Sequence, residues 1–208
     1  MPQAENATAI RDQHEIANLL TRWGHARDSD DWEALAACFH DDATIGISWI
    51  SASAREFVAA SKGMAARRGA GAHMKHLFSG PLIMVNGGRA FSRCHATLYA
   101  RAMIDGHEMD FQSLFRFFDL LEKREGAWRI LKRTGVYEKD RMEPVHPAGV
   151  PAGFYEGMGL SAFQPELRFL SFFLSKAGHP LLRVPVVYSP EEKALLGKSL
   201  DWLAGESG

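Results

Sequence analysis

The sequence predicts an α+β domain in which helices near the N-terminus pack on one face of a long antiparallel sheet, followed by a helical extension. Residues 8–28 repeat apolar side chains at intervals of three and four, which is the spacing of an amphipathic helix. After Gly71 the chain changes to long runs rich in β-branched and aromatic residues, separated by turn sequences. Helices first and a strand meander second are typical of α+β domains rather than of alternating α/β folds.

Helices are predicted over three segments in the first third of the chain. The first covers residues 8–28. The second covers about 31–39, with Asp30 as its N-cap and Glu33 completing a capping box. The third, over 54–68, is rich in alanine and ends at the glycines that follow it. These helices are expected to cover one face of the sheet.

Strands are predicted from the β-branched and aromatic composition of the remaining segments. One strand lies between the second and third helices, over residues 43–49. Longer strands follow the third helix and cover residues 82–85, 89–104, 107–122 and 127–138. The dipeptide Asp105-Gly106 separates two of these runs and indicates a tight hairpin. The strands therefore form a curved antiparallel meander.

The composition changes again near residue 141, so we divide the chain into a main domain, 8–140, and a C-terminal extension, 141–208. A proline- and glycine-rich stretch leads to a predicted helix over 163–177 with a wide apolar surface. Ser189 and Pro190 mark the start of a last helix. Two helices cannot bury this apolar surface alone, so the extension should pack on the main domain or on a neighbouring subunit. It would serve there either as a lid over a cavity or as a clasp.

Composition and charge exclude several classes of function. The 208 residues carry a net charge of −1, so no basic surface points to nucleic acid. No apolar run approaches the length of a membrane span, and the first residues lack the pattern of a secretory leader. Cys38 and Cys94 lie in apolar contexts, which favours buried free thiols, with a disulfide between them as the alternative. We expect a cytoplasmic protein that binds neither nucleic acid nor membrane.

Three phrases of the sequence resemble a known family. The longest, at residues 23–35, is WGHARDSDDWEAL; FHDDA follows at 39–43 and GAWRI at 126–130. With the order of elements, they resemble the SnoaL-like branch of the nuclear transport factor 2-like superfamily over about residues 8–140. The resemblance implies a cone-like curved antiparallel sheet packed with the N-terminal helices. It also implies a site that works without a metal or another cofactor.

Asp28 and His76 are the candidate catalytic residues. Scytalone dehydratase, the bile acid 7α-dehydratases and hexachlorocyclohexane dehydrochlorinase share an Asp on the first helix and a His before the meander. This chain resembles them at Asp28 and His76. A carboxylate that orients and charges an imidazole is a general acid–base unit. An ordinary structural interpretation competes with this one, because Asp28 could simply cap its helix and His76 could be a core or surface histidine.

His73 competes with His76 as the functional histidine. On a strand the two side chains would point to opposite faces. We prefer His76 because the apolar residues Leu77 and Phe78 follow it directly. The two histidines have no carboxylate or cysteine at complementary spacing, so no metal site is predicted.

Departures from the resembling lyases imply a different substrate. Trp23 stands where the bile acid enzymes have a tyrosine, and an indole N–H cannot exchange a proton as a phenol does. Arg27 replaces a tyrosine of scytalone dehydratase, and Arg101 and Arg116 fall at the positions of its later His and Asn. These arginines suggest a substrate that carries an oxyanion. Arg116 lies in so apolar a strand that it needs a partner, either a structural carboxylate or the substrate.

The candidate substrate-binding residues are those that the resemblance or the strand pattern brings towards the Asp–His pair: Trp23, Arg27, Trp49, Tyr99, Arg101 and Arg116. Tyr99 and Arg101 share the polar face of one strand, which could line the pocket, be solvated or lie in a subunit contact. The aromatic residues among them would suit a flat hydrophobic ligand.

The sequence favours a cofactor-independent lyase that acts on a hydrophobic, aromatic or polycyclic hydroxylated small molecule, as in aromatic compound catabolism. The reaction would be a dehydration or a carbon–carbon elimination, with His76 moving the proton and Asp28 stabilising the imidazolium. Arg101 and Arg116 would stabilise developing negative charge. The alternatives are an isomerase or cyclase of the same fold, a non-catalytic binding domain, and the small subunit of a ring-hydroxylating oxygenase. A sheet face rich in Phe, Leu and Tyr also predicts a homodimer or homotrimer.

Overall fold

The computed structural model describes residues 2–69, 71–146 and 149–205, with side chains from residue 7 onwards. The helices are α1 (Pro2–Asp28), α2 (Trp32–Ala37), α3 (Ala54–Ala66), α4 (Arg168–Lys176) and α5 (Pro190–Ala204). The strands are β1 (Phe39–Ile47), β2 (Ile50–Ser53), β3 (His73–Phe78), β4 (Leu82–Asn86), β5 (Arg89–Ile104), β6 (His107–Arg124) and β7 (Ala127–Pro144). Within the described residues, no helix is long and apolar enough to cross a membrane.

The strands form one curved sheet in the order β2-β1-β7-β6-β5-β3, with β4 paired to a further part of β5. The long strands β5, β6 and β7 form the predicted antiparallel meander. Asp105 and Gly106 both have positive φ in the β5–β6 turn, as the Asp-Gly hairpin signal predicts. Irregular register between β6 and β7 bends the sheet. The α+β prediction is confirmed; the parallel pairing of β1 with β7 was not predicted.

The three N-terminal helices pack on the concave face of this sheet. The buried side of α1 carries Ile16, Leu19, Leu20 and Trp23 at helical spacing. The Trp23 ring contacts Phe117 of β6, with ring centroids 5.4 Å apart. Burying each such side chain contributes about 1.5–3 kcal/mol, so this face of α1 supplies much of the energy that seats the helix in the sheet.

The turn between α1 and α2 differs from the prediction. The N-cap of α2 is Asp31, whose carboxylate accepts a hydrogen bond from the Ala34 N–H at 3.0 Å, so the predicted capping box of Asp30 and Glu33 is wrong. Asp30 has φ of 60° and ends the turn in the left-handed conformation, which moves the cap one residue along the chain. The Asp30 side chain binds Arg68 instead, at 3.1 Å.

The residues after β7 pack on both faces of the sheet. Helix α4, shorter than the predicted helix over 163–177, lies on the concave side, where Phe173 stacks on Phe111 with ring centroids 6.3 Å apart. Helix α5 lies on the convex side and covers the apolar cluster formed by Phe91, Phe118 and Val136 with Leu195, Leu196 and Leu203. Its N-cap is Ser189, as predicted. Helix α5 therefore covers part of the apolar sheet face from which we predicted a homo-oligomer.

Candidate active site

A cavity of about 560 Å³ lies between the concave face of the sheet and helices α1, α3 and α4. This volume falls within the range of about 300–1,000 Å³ typical of small-molecule sites. Its wall is mostly aromatic and aliphatic, with Trp23, Ile47, Trp49, Phe57, Leu98, Phe111, Phe115, Phe117, Leu170 and Phe173 among the lining residues. Its polar lining residues include Arg27, Ser48, His76, Tyr137 and His179, together with His73 and the charged residues Arg67, Arg68, Arg101, Asp105 and Lys176. Such a site suits a flat apolar ligand with a small number of polar groups.

Asp28 and His76 meet at one side of this cavity, although 48 positions separate them in the sequence. Asp28 Oδ1 lies 2.6 Å from His76 Nδ1, and Asp28 Oδ2 accepts a hydrogen bond from the His76 backbone N–H, also at 2.6 Å. Both side chains are largely shielded from solvent. The predicted hydrogen bond between the two residues is therefore present, and the carboxylate fixes both the imidazole and the strand that carries it.

A glycine lets the helix approach the strand closely enough for this contact. A Cβ added to Gly24 of α1 would lie 2.2 Å from Cε2 of Phe78, which is two positions after His76 on β3. Any side chain at this position would therefore push α1 away from β3. The spacing that Gly24 permits brings Asp28, one turn further along the helix, within reach of His76.

The contacts of His76 determine its tautomer and lower its pKa. A carboxylate only accepts hydrogen bonds, so Nδ1 carries the proton and Nε2 presents its lone pair. Burial lowers the pKa of His76, opposed by Asp28, and the positive charges of Arg27 and Arg133 lower it further. The imidazole is therefore neutral at neutral pH and is able to accept a proton at Nε2.

Trp23 forms the wall beside the pair and rests on a buried arginine that sequence reasoning missed. The Trp23 and His76 rings pack edge to face, with ring centroids 5.8 Å apart. The Arg133 guanidinium carbon lies 4.3 Å from the centroid of the Trp23 ring. Arg133 is 1% exposed and binds Asp119 through two hydrogen bonds of 2.7 and 2.8 Å. The two residues sit opposite each other on β6 and β7, a pairing that the sequence did not reveal.

Two further polar groups in the cavity were also missed. Tyr137 donates a hydrogen bond to Ser48 Oγ at 3.0 Å and accepts one from the Ser48 N–H at 3.1 Å, and burial raises the pKa of this tyrosine. His179 reaches the cavity from the loop after α4. Its ring packs beside that of Trp49, with ring centroids 5.5 Å apart. Tyr137 could have been found from strand alternation along β7, whereas nothing in the sequence points to His179.

The structure places some of the predicted substrate-binding residues on the cavity. Trp23, Arg27 and Trp49 line it. Arg101 lies at its mouth, but its guanidinium binds Asp110 on the outer face through two hydrogen bonds of 2.6 Å. Its donors are therefore already engaged by a structural partner.

Tyr99 and Arg116 lie outside the cavity, which corrects the prediction for both. Tyr99 is 43% exposed on the convex face and accepts a hydrogen bond from Gln112. Arg116 also projects from the convex face and binds Glu192 of α5 at 3.1 Å, the structural ion pair considered as its alternative. Alternate residues of a strand point to opposite faces, and the inward positions of β5 are instead Leu98, Ala100 and Ala102. In this structure Arg116 is therefore engaged by a carboxylate of the chain outside the cavity.

His73 and His76 lie on opposite faces of β3, as strand alternation predicted. His73 is exposed and pairs with Arg101 in the register of the sheet, and His76 is more buried; both histidines border the cavity. Among the described residues, no group of three or more His, Cys, Asp or Glu side chains is placed to hold a metal ion. Cys38 and Cys94 are both free and buried.

The sheet, its helices and the enclosed cavity define a nuclear transport factor 2-like α+β domain. A family model described as the SnoaL-like domain matches residues 8–134. The chain is also 33% identical over 168 residues to pea pathogenicity protein 2 of Fusarium vanettenii, covering 78% of this chain and 69% of that protein. The protein thus belongs to the SnoaL-like family.

Solved structures share this fold. A protein of Novosphingobium aromaticivorans, described as a candidate scytalone dehydratase, matches with a TM-score of 0.57 and 17% identity, over 70% of this chain and 99% of that chain. The type 2 hexachlorocyclohexane dehydrochlorinase LinA matches with a TM-score of 0.57 and 14% identity, over 72% of this chain and 99% of that chain. At these identities the likeness shows the fold alone.

Proposed function

We propose that the protein is a cofactor-independent lyase that removes water or a small aldehyde from a hydrophobic, hydroxylated aromatic or polycyclic molecule. The observation that carries this proposal is the 2.6 Å contact between Asp28 Oδ1 and His76 Nδ1 at the wall of an apolar cavity. Membership of a family with dehydratase and dehydrochlorinase neighbours supports it. Asp28 and His76 are its proposed acid–base pair, and Trp23 and Trp49 its proposed aromatic contacts.

A dehydration needs one proton acceptor that later becomes a proton donor. His76 Nε2 removes a proton from the carbon next to the hydroxyl-bearing carbon, and the electron pair of that C–H bond forms the new double bond. The carbon–oxygen bond breaks, and the imidazolium returns its proton to the departing oxygen, which leaves as water. Asp28 stabilises the imidazolium between these two transfers, as buried carboxylates beside histidine do.

The same pair also serves a carbon–carbon elimination. His76 Nε2 then removes the proton of the substrate hydroxyl, whose C–O bond becomes the carbonyl of the released aldehyde as the adjacent carbon–carbon bond breaks. The electron pair left on the ring-bearing carbon takes the proton back from the imidazolium. Both reactions need a neutral imidazole at the start, which the lowered pKa of His76 provides.

Helix α4 contributes to this chemistry by closing one side of the cavity. Leu170, Phe173 and Leu174 line the wall opposite the sheet. We propose that they keep water away from the Asp–His pair, because excluding water strengthens the interaction between the carboxylate and the imidazolium.

The rival functions differ in what the pair would do. An isomerase or cyclase would use the same base but conserve the mass of its substrate. A binding domain or an oxygenase subunit does not need an acid–base pair. Burying Asp28 and His76 is unfavourable, and a cavity that only binds its ligand does not require it. The burial and hydrogen bonding of the pair therefore favour an enzyme over a binding domain, and the mass of the product distinguishes the lyase from the isomerase.

Product mass tests the proposal directly. The protein is incubated with a panel of hydroxylated aromatic and polycyclic compounds, and the products are analysed by liquid chromatography and mass spectrometry. We expect a product lighter than its substrate by one water or one aldehyde, lost in His76→Gln and kept in the matched control His95→Gln, at an exposed histidine of β5 that does not line the cavity. A product of unchanged mass would establish the isomerase, and binding without any product would establish the binding domain.

The cellular role is also proposed. Hydroxylated aromatic substrates would place the reaction in aromatic compound catabolism. The free thiols of Cys38 and Cys94 support the expected location in a reducing compartment, the cytoplasm.

A further inference from the structure

Arg27 is a buried cation that no described residue pairs with directly, although the Asp28 and Asp30 carboxylates favour its charged form from further away. It lies on α1 one turn after Trp23, lines the cavity and is only 4% exposed. Its guanidinium makes no hydrogen bond or ion pair with any described residue, and its Nη1 atom is completely buried without a partner. The nearest ring, that of Trp32, lies 5.8 Å from the guanidinium carbon.

The neighbouring carboxylate of Asp28 attracts this cation but does not bind it directly. Asp28 follows Arg27 directly in the sequence, but its two oxygens accept hydrogen bonds from the ring and backbone nitrogens of His76. The other buried arginine, Arg133, is treated differently: its Nη1 also lacks a partner, but its charge is paired with Asp119 through two hydrogen bonds. An unpaired buried charge costs several kcal/mol, so a fold that pairs one such arginine and leaves the other open indicates a partner from outside the chain.

The remaining charges around the cavity also lack a carboxylate for Arg27. Among the described lining residues, the carboxylate of Asp105 is bound by Lys176 at 2.8 Å. Arg67, another lining residue, adds a further positive charge; burial lowers the pKa of His179, and this charge lowers it further. Burial lowers the pKa of Arg27 to about 10, so this side chain still carries its charge at neutral pH. The interior therefore presents a net positive charge to a ligand.

We propose that Arg27 binds a carboxylate carried by the aromatic substrate, beside the Asp28–His76 pair. A planar guanidinium matches a carboxylate in geometry as well as in charge, and such a contact fixes the orientation of the ligand. The apolar wall would hold the ring system while Arg27 positions it against His76 Nε2. This assignment rests on the proposed function in taking the cavity as the substrate site, and it transfers the anion-binding role from Arg101 and Arg116 to Arg27.

Binding of two isosteric probes tests the assignment without turnover. Isothermal titration calorimetry compares naphthoate with naphthamide of the same ring isomer, which differ in charge but hardly in shape. We expect the carboxylate to bind about tenfold or more tightly, the effect of one hydrogen-bonded charge pair. Arg27→Met should remove this preference and Arg27→Lys should keep part of it. The matched control Arg22→Met, on the exposed side of the same helix, should keep all of it.

Thermal unfolding separates a binding role from a structural one. Without ligand, Arg27→Met should unfold at the same temperature as the unaltered protein or at a higher one, because it removes an uncompensated buried charge. Equal binding of the two probes, binding of neither, or a carboxylate preference that survives Arg27→Met would overturn the proposal. His76→Gln should lose turnover and keep the preference, so failure of the lyase chemistry is distinguishable from failure of the anion site.

Discussion

The guanidinium of Arg133 lies between two rings, 4.3 Å from the centroid of Trp23 and 4.1 Å from that of Phe117. A cation in this position attracts the negative faces of both rings. It thereby supports the wall formed by Trp23, which in turn contacts His76. The same charge lowers the pKa of His76, so one buried ion pair affects both the shape and the proton affinity of the candidate site.

Removing one member of that ion pair should destabilise the protein strongly. Arg133→Met leaves the Asp119 carboxylate buried without its partner, and we expect the free energy of unfolding to fall by about 3–5 kcal/mol. The double variant Asp119→Leu/Arg133→Met removes both charges and should be markedly more stable than Arg133→Met alone. Urea unfolding of the variants measures both effects, and equal stability of the single and double variants would contradict the explanation.

Asp28→Asn should reduce turnover while preserving the fold. An asparagine has nearly the same shape but carries no charge, so it can neither stabilise the imidazolium nor enforce the proton on Nδ1. We expect the rate constant kcat to fall by about a hundredfold to ten-thousandfold. Circular dichroism checks that the fold is retained. A rate close to that of the unaltered protein would mean that Asp28 only holds β3 in place through its hydrogen bonds to His76.

The acid limb of the pH–rate profile should lie below pH 6.5, the ordinary pKa of histidine, because burial lowers the pKa of His76 in the folded protein. The base is active when neutral, so a lowered pKa keeps it active at lower pH. Arg27→Met removes one positive charge near His76, so it should raise the pKa of His76 and shift the acid limb to higher pH. The dependence of kcat/KM on pH measures both positions, and a limb at or above 6.5 would contradict the assigned burial.

The titration of His76 should also make the free energy of unfolding depend on pH. Between the lowered pKa and 6.5, the unfolded chain binds a proton at residue 76 that the folded protein does not. Stability is therefore lost as the pH falls through this window and is regained as it rises. His76→Gln should lack this component when urea unfolding is compared at several pH values.

Arg116→Met should weaken the attachment of α5 without affecting the cavity. Arg116 binds Glu192 at 3.1 Å and approaches Glu138 at 3.6 Å, on the convex face. The pair is only partly buried, so we expect a loss of about 1–2 kcal/mol in the free energy of unfolding. The KM for substrate should not change. A large rise in KM with unchanged stability would restore Arg116 as a substrate contact.

A homodimer or homotrimer remains our prediction for the protein in solution. Helix α5 covers part of the convex face, but Leu77 of β3 and Tyr99 of β5 stay exposed on the sheet. Such apolar patches are typical of interfaces. Light scattering at micromolar concentration should show an oligomer that Leu77→Lys weakens, and a monomer would contradict the prediction.

Local sequence was sufficient for much of the fold. Helix α1, the Asp105-Gly106 hairpin and the Ser189 cap were predicted because each depends on residues close together in the chain. The Asp28–His76 contact was predicted from the resemblance to a known family. Local sequence failed at the turn before α2, where either Asp30 or Asp31 could cap the helix and the backbone conformation decided between them.

Tertiary structure decided which side chains reach the cavity. Strand alternation shows that Leu98 and Tyr99 point to opposite faces, but only the packed helices determine which face is enclosed. The partners of charged residues were equally hidden, because Glu192 reaches Arg116 across 76 positions and no short-range pattern records such a contact. Arg27 differs from Arg116 because Asp28, its nearest carboxylate, is occupied by His76. That difference arises from distances between remote segments, which the chain acquires only on folding.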